Sequence, residues 1–331
     1  MRIINSLDEL DLIIKELDDA AKISDDALRA LFKTFRFQDS KQVYNDPFSS
    51  EYHKHQFDIY EKISGKQYKA DNEVSAFDVN QAIKEPFPFS SKSCDTVGNH
   101  IIAIGHLIKT LALKPGSKII EFGAGWGNTT LWLAQMGFKI TAVDIEKRFV
   151  ELIRKRSEAI GLEIELLNAD FQIAHKLDRK WDAIIFFESF HHCADHQNLI
   201  PGLLNLLNEG GKIIFAAEPI TDDFPIPWGL RLDGESLWAI RNFGWCELGF
   251  QETYFRELMA RNNLMLTKYS CPETPWGTIF VAERTINNII DNKTIDSQDL
   301  VNSPSNGKRL NFKMSARIWD WLFIGNLNFE F

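Results

Sequence analysis

The stretch from Lys118 to Asp144, KIIEFGAGWGNTTLWLAQMGFKITAVD, constrains the fold more than any other part of the chain. An apolar run (Ile119, Ile120) ends in Glu121, and a turn carrying Gly123, Gly125 and Gly127 follows. A helical pattern then leads to a second apolar run that ends in Asp144. That order predicts strand, tight turn, helix and strand, one half of a nucleotide-binding βαβ unit. The glycines let the backbone approach a ligand closely, and the helix N-terminus offers unpaired N–H groups. Asp144, at the tip of the second strand, is placed to accept hydrogen bonds from a ribose diol.

A glycine-rich turn alone also suits a dehydrogenase. Here the motif opens with an acid, Glu121-Phe-Gly-Ala-Gly-Trp-Gly127, and lacks the G-x-G-x-x-G spacing of dinucleotide sites, which favours S-adenosylmethionine (SAM). Downstream, EIELLNADF reads as a strand with Asp170-Phe171 at its tip, and WDAIIFFESFHH as a strand ending in Glu188. LLNEGGKIIFAAEPI reads as a helix, a Gly-Gly turn and a strand. Any one of these acids alone is most simply a helix cap or a surface charge; several in the right order argue for a site.

On these motifs, the stretch from about Val97 to about Arg284 resembles class I SAM-dependent methyltransferases. The resemblance implies an α/β fold: a seven-stranded Rossmann-like sheet with helices on both faces, ending in a strand pair of which one is antiparallel. It implies SAM as cofactor, with Glu121, Gly123, Ala124, Gly125 and Gly127 in the loop along its methionine part. It further implies Asp144 and Ile145 at the ribose, Asp170 and Phe171 at the adenine, and Glu188 near the methionyl end.

The chain has 331 residues, 44% hydrophobic and 25% charged, enough for a sizeable core and more than one domain. A net charge of -9 argues against a nucleic-acid footprint, and the basic run Lys147–Arg156 reads as the solvated face of a helix. The four cysteines are scattered without a C-x-x-C pair, so neither a disulfide framework nor a zinc knuckle is expected. The N-terminus is acidic and amphipathic, unlike a signal peptide, and no apolar run is long enough to span a membrane. The expectation is a cytoplasmic protein.

Three regions are expected. Residues 1–93 form a helical module, with helices near residues 7–17, 25–37 and 52–65, packed on the core or used for homo-oligomerisation. Residues 94–285 form the methyltransferase core, interrupted by an insertion at 219–248. Residues 286–331 form a polar linker and an aromatic extension, expected to dock on the body or on another subunit, a second route to a homo-oligomer. The insertion follows the carboxyl end of a strand, so it is read as a substrate lid contributing Trp228, Arg231, Trp238 and Arg241. The alternative is a satellite hydrophobic cluster.

Methyl transfer from a sulfonium is an in-line displacement, so the protein aligns the reactants, excludes water and, for a hydroxyl, takes a proton. His191, His192 and Glu188 in FFESFHHCADHQ are the candidate catalytic groups. Three readings stay open: a histidine base, histidines that only shape the pocket, or a metal held by His191, His192, Asp195 and His196. Adjacent histidines at a strand exit tend to point apart, so no metal is expected. Tryptophan and arginine in the lid suit a small or medium-sized polar acceptor. The segments SEYHKHQFDIYEKISGK, PFPF and WGLRLDGESLWAIRNFGW resemble bacterial methyltransferases linked with glycan assembly, which implies O-methylation of a sugar, glycan or nucleotide-sugar. A natural product or lipid-quinone, a non-catalytic SAM-binding subunit and a nicotinamide oxidoreductase are the alternatives.

Overall fold

Serine and aspartate caps set the pattern of the N-terminal region. In the computed structural model, which describes residues 1–38 and 46–285, β1 (Arg2–Ile4) leads into α1 (Leu7–Ile23), whose first turn donates to Ser6. Ser24 caps α2 (Asp25–Phe32), Ser49 caps α3 (Ser50–Ser64), Asp78 caps α4 (Val79–Lys84) and Ser93 caps α5 (Cys94–Leu111). Gly65 closes α3 in the left-handed conformation. The second helix ends five residues earlier than expected, at Phe32 instead of Phe37. Phe35–Phe37 instead forms β2, parallel to β1, with Phe35 and Phe37 buried and Arg36 exposed. Alternation of period two overrides the helical pattern there.

The central unit then runs β3 (Lys118–Phe122), α6 (Asn128–Gln135), β4 (Lys139–Asp144), α7 (Lys147–Ala159), β5 (Glu165–Asn168), β6 (Trp181–Phe187), α8 (His196–Asn205) and β7 (Leu207–Ala216). After the insertion elements β8 (Trp228–Leu230), α9 (Gly234–Asn242) and β9 (Leu248–Phe250) come α10 (Glu252–Arg261), β10 (Leu264–Tyr269) and β11 (Ile279–Arg284). Seven strands make one sheet in the order β10-β11-β7-β6-β3-β4-β5. Strands β3 to β7 are parallel, and β11 lies antiparallel between β7 and β10. This is the Rossmann-like sheet expected from the motifs. The chain moves outward from β3 to β5 and returns beside β3 as β6, so the topological switch point lies between β3 and β6, at their carboxyl ends.

Alternating residues of the central strands feed two cores. Ile119, Ile185 and Ile214 face α5 and α6. Phe122, Phe186 and Phe215 face the opposite layer, which is continuous with the N-terminal helices. These three rings stack across neighbouring strands, with centroids 5.3 and 5.6 Å apart. The Gly-Gly pair is not a turn ahead of the last parallel strand. Gly210 and Gly211 lie inside β7, where the register with β6 slips between the Trp181 and Ala183 pairings. Gly210 adopts φ +69°, so the pair forms a bulge.

The insertion folds against the N-terminal helices: α3 packs on α9 and β8, and α1 and α2 pack on α9. Trp228 is fully buried, its indole N–H donates to the Pro47 carbonyl at 2.7 Å, and Tyr52 donates to the Trp228 carbonyl at 2.8 Å. Arg241 pairs with Asp11 at 2.7 Å and donates to the Ile63 carbonyl. Two of the residues expected in a substrate lid, Trp228 and Arg241, are therefore part of the packing that joins insertion to N-terminal helices. No helix among the described residues is long and apolar enough to cross a membrane. The C-terminal extension lies outside the described residues.

Replacing Trp228 by Ala is expected to destabilise the protein by about 3–5 kcal/mol through the cavity it leaves. Denaturant unfolding checks this, and a change below about 1 kcal/mol would contradict the buried role.

Candidate active site

A cavity of about 1120 Å³ opens at the carboxyl ends of β3, β4 and β6, roofed by the N-terminal helices and the insertion. Its floor is the glycine loop. Gly123 has φ +69°, and a Cβ there would stand 2.5 Å from the Ser189 Cβ, so only glycine lets the β3 and β6 exits meet this closely. Ser189 completes the junction by donating to the Phe122 carbonyl at 2.8 Å.

Asp144 is held by two backbone donors, Gly125 N–H at 2.7 Å and Glu146 N–H at 2.8 Å, one on each oxygen. Burial pushes its carboxyl up to about 6, and those two N–H groups limit the rise. Glu121 is 2% exposed and accepts from the Thr130 hydroxyl; burial pushes it up to about 8. Asp170 accepts from the Gln172 N–H at 3.0 Å. Glu188 sits at φ +50°, a left-handed conformation that costs a non-glycine residue energy. Burial, then Glu235 and Glu218, push its carboxyl up to about 8, and His100 Nδ1 stands 3.6 Å from it. Every residue expected at the cofactor faces this cavity: Glu121, Gly123, Ala124, Gly125, Gly127, Asp144, Ile145, Asp170, Phe171 and Glu188.

Across from the glycine loop, the short turn Phe190–His192 carries both candidate histidines into the cavity. Glu218, at the exit of β7, is fully buried and accepts the N–H groups of Ser189, Phe190 and His191 as well as His191 Nδ1, at 2.8 Å. Burial opposes its charge, but His191 and the backbone N–H groups outweigh burial and hold Glu218 below the ordinary carboxyl range. His192 Nδ1 stands 3.3 Å from Glu73 Oε2. Burial disfavours charge on His192, but Glu73, Glu247 and Glu218 prevail and raise it to about 9. At neutral pH such an imidazole already carries the proton that a free base must lack.

Of the residues expected in the lid, Trp238 and Arg231 line the cavity, whereas Trp228 and Arg241 are held elsewhere by their packing. Arg231 is engaged by Asp233 at 3.0 Å and Glu247 at 3.5 Å. A metal group of His191, His192, Asp195 and His196 does not assemble: His196 is buried against Trp228, bonds Tyr254 at 2.8 Å, and burial lowers its proton affinity to about 3. The two adjacent histidines do not point apart, since their ring centroids lie 4.2 Å from each other. Sequence reasoning missed Glu73, Glu218 and Glu247. Glu218 carries a readable signal, an acid at the tip of a parallel strand; Glu73 and Glu247 reach the site through packing alone.

Residues 119–211, from β3 into the bulge of β7, match a family model described as a methyltransferase domain. An uncharacterised methyltransferase of Geobacillus sp. is 29% identical over 118 residues, covering 35% of this chain and 54% of that protein. A sarcosine/dimethylglycine N-methyltransferase of Halorhodospira halochloris is 29% identical over 34% of this chain and 42% of its own length. A ubiquinone biosynthesis O-methyltransferase of Coxiella burnetii is 28% identical over 34% of this chain and 51% of its own. The chain thus spans about half the length of the curated relatives it matches. Among solved structures, a magnesium protoporphyrin IX methyltransferase from Synechocystis with bound SAM aligns over 75% of this chain and 100% of its own, at 16% identity and a TM-score of 0.45. The expected enzyme class agrees with the domain match over residues 119–211. The N-terminal helices and the insertion lie outside it.

The Glu121 carboxyl, raised by burial, contributes stability that is full below the ordinary carboxyl range and is lost as pH rises towards about 8. Glu121→Gln keeps an acceptor for Thr130 and removes the titration. Its thermal midpoint relative to the parent protein is expected to be more favourable at pH 9 than at pH 5. An equal difference at both pH values would contradict the assignment.

Proposed function

We propose that this chain is a SAM-dependent methyltransferase that transfers the methyl group to a small or medium-sized polar acceptor. The observation that carries the reading is the convergence of the glycine loop, Asp144, Asp170 and Glu188 on one cavity, in the segment that matches a methyltransferase domain. Asp144, its oxygens pinned by two N–H groups, is the proposed ribose ligand. The loop Gly123–Gly127 is the proposed bed for the methionine part, and Asp170 with Phe171 the adenine end. At about 1120 Å³ the cavity exceeds the usual size of a single ligand pocket, ~300–1,000 Å³, which leaves room for an acceptor beside the donor.

In the transfer, the acceptor atom forms its bond to the methyl carbon as the carbon–sulfur bond breaks and the electron pair goes to sulfur. The cavity wall formed by His191, His192 and Glu188 is the proposed acceptor side. Arg231 and Trp238 are the proposed substrate contacts, and they are what supports the sugar, glycan or nucleotide-sugar reading among polar acceptors. The named relatives include both an N-methyltransferase and an O-methyltransferase, and a hydroxyl acceptor is favoured here by the buried His191–Glu218 pair, which suits a group that must lose a proton.

Calorimetry is expected to show SAM binding to the parent chain and at least tenfold weaker binding to Asp144→Ala; equal affinity would refute the ribose role. His191→Ala is expected to lower kcat for transfer from labelled SAM by about tenfold or more with SAM affinity retained. Undiminished turnover would remove His191 from the acceptor side.

A further inference from the structure

We propose that His191, His192 and Glu247 form a binding site for a divalent transition-metal ion on the acceptor side of the cavity. A ring nitrogen of each histidine and a carboxylate oxygen of Glu247 lie within 4.8 Å of one another, and all three residues face the cavity. Donors sharing one ion at bonds of about 2.0–2.2 Å stand roughly 3–4 Å apart, so modest side-chain rotations complete the set.

Both imidazoles are backed by a carboxylate. Glu218 takes His191 Nδ1 at 2.8 Å, which turns the Nε2 lone pair towards Glu247 Oε2, 3.7 Å away. Glu73 stands 3.3 Å from His192 Nδ1. A carboxylate behind a ligating histidine fixes its tautomer and raises its basicity, which is the usual outer shell of a metal site.

Charge points the same way. Glu218 stands against His191, Glu73 against His192, and Glu247 against both His191 Nε2 and Arg231, which Asp233 shares. Three carboxylates around two imidazoles make a largely buried, acid-rich pocket in which a dication would find compensating charge. Two imidazoles and one carboxylate suit Zn²⁺, Mn²⁺, Co²⁺ or Fe²⁺ better than the all-oxygen preferences of Mg²⁺ and Ca²⁺. Because all three residues line the cavity, an ion held by them would be open to an acceptor oxygen and would make it easier to deprotonate. This last role rests on the methyltransferase reading; the ion site itself does not.

The test is titration of the chelator-treated full chain with Co²⁺, read by visible absorption, and with Zn²⁺, read by calorimetry. One equivalent is expected to bind, at least tenfold more weakly in His191→Ala and in Glu247→Gln, and about 10–100-fold more weakly in Glu218→Gln. SAM titration of each variant reports whether its cavity is intact. Lack of stoichiometric binding by the parent chain, or equal binding by variants that still take SAM, would overturn the proposal. If the variants lose SAM binding as well, the parent chain decides: a Co²⁺ band characteristic of mixed nitrogen and oxygen ligands supports the site, and its absence removes it. Metal binding without SAM binding leaves the ion site standing and removes the methyltransferase reading, and SAM binding without metal does the reverse.

Discussion

The Glu218 carboxylate is the contact on which the geometry of the site depends. Fully buried at the exit of β7, it accepts three consecutive backbone N–H groups from the β6 exit and a ring nitrogen of His191. A buried carboxylate is tolerable only when its oxygens are satisfied, and these donors satisfy both. The same turn sets Ser189 against Gly123, which fixes how closely the glycine loop approaches the β6 exit. One ion-dipole node therefore positions the floor of the cavity and its histidine wall together. Loss of its charge would loosen both.

Above that node the roof is composite. Neither the N-terminal helices nor the insertion makes the roof alone; each buries its apolar face against the other, with Trp228, Tyr52, Trp238 and Arg241 at the joint. Trp238 illustrates the double duty, lining the cavity while its indole N–H donates to Asp18 at 2.8 Å. The roof of the cavity is thereby held by contacts between residues more than two hundred positions apart in the chain.

Legibility in the sequence follows from range. The strands β3 to β7, the glycine loop and the acids at the strand tips were readable because periodicity, glycine placement and a terminal acid are local signals. Elements whose form depends on distant partners were not. Phe35–Phe37 leaves the helix because β1 offers a parallel edge, and Gly210–Gly211 bulges within β7 because β6 keeps pairing on both sides of it. Trp228 and Arg241 have the composition of substrate contacts, but Tyr52, Pro47 and Asp11 claim them. The expectation that neighbouring histidines diverge holds for an extended strand; the short helical turn at Phe190–His192 and the pull of Glu218 and Glu73 bring their rings together instead.

The central claim is that the switch-point cavity is built for a sulfonium nucleoside and not for a dinucleotide. Parallel calorimetric titrations of the full chain with SAM and with NADH test it most directly. The account predicts one SAM per chain and no measurable heat with NADH. Saturable NADH binding with no response to SAM would contradict it and return the chain to the oxidoreductase reading.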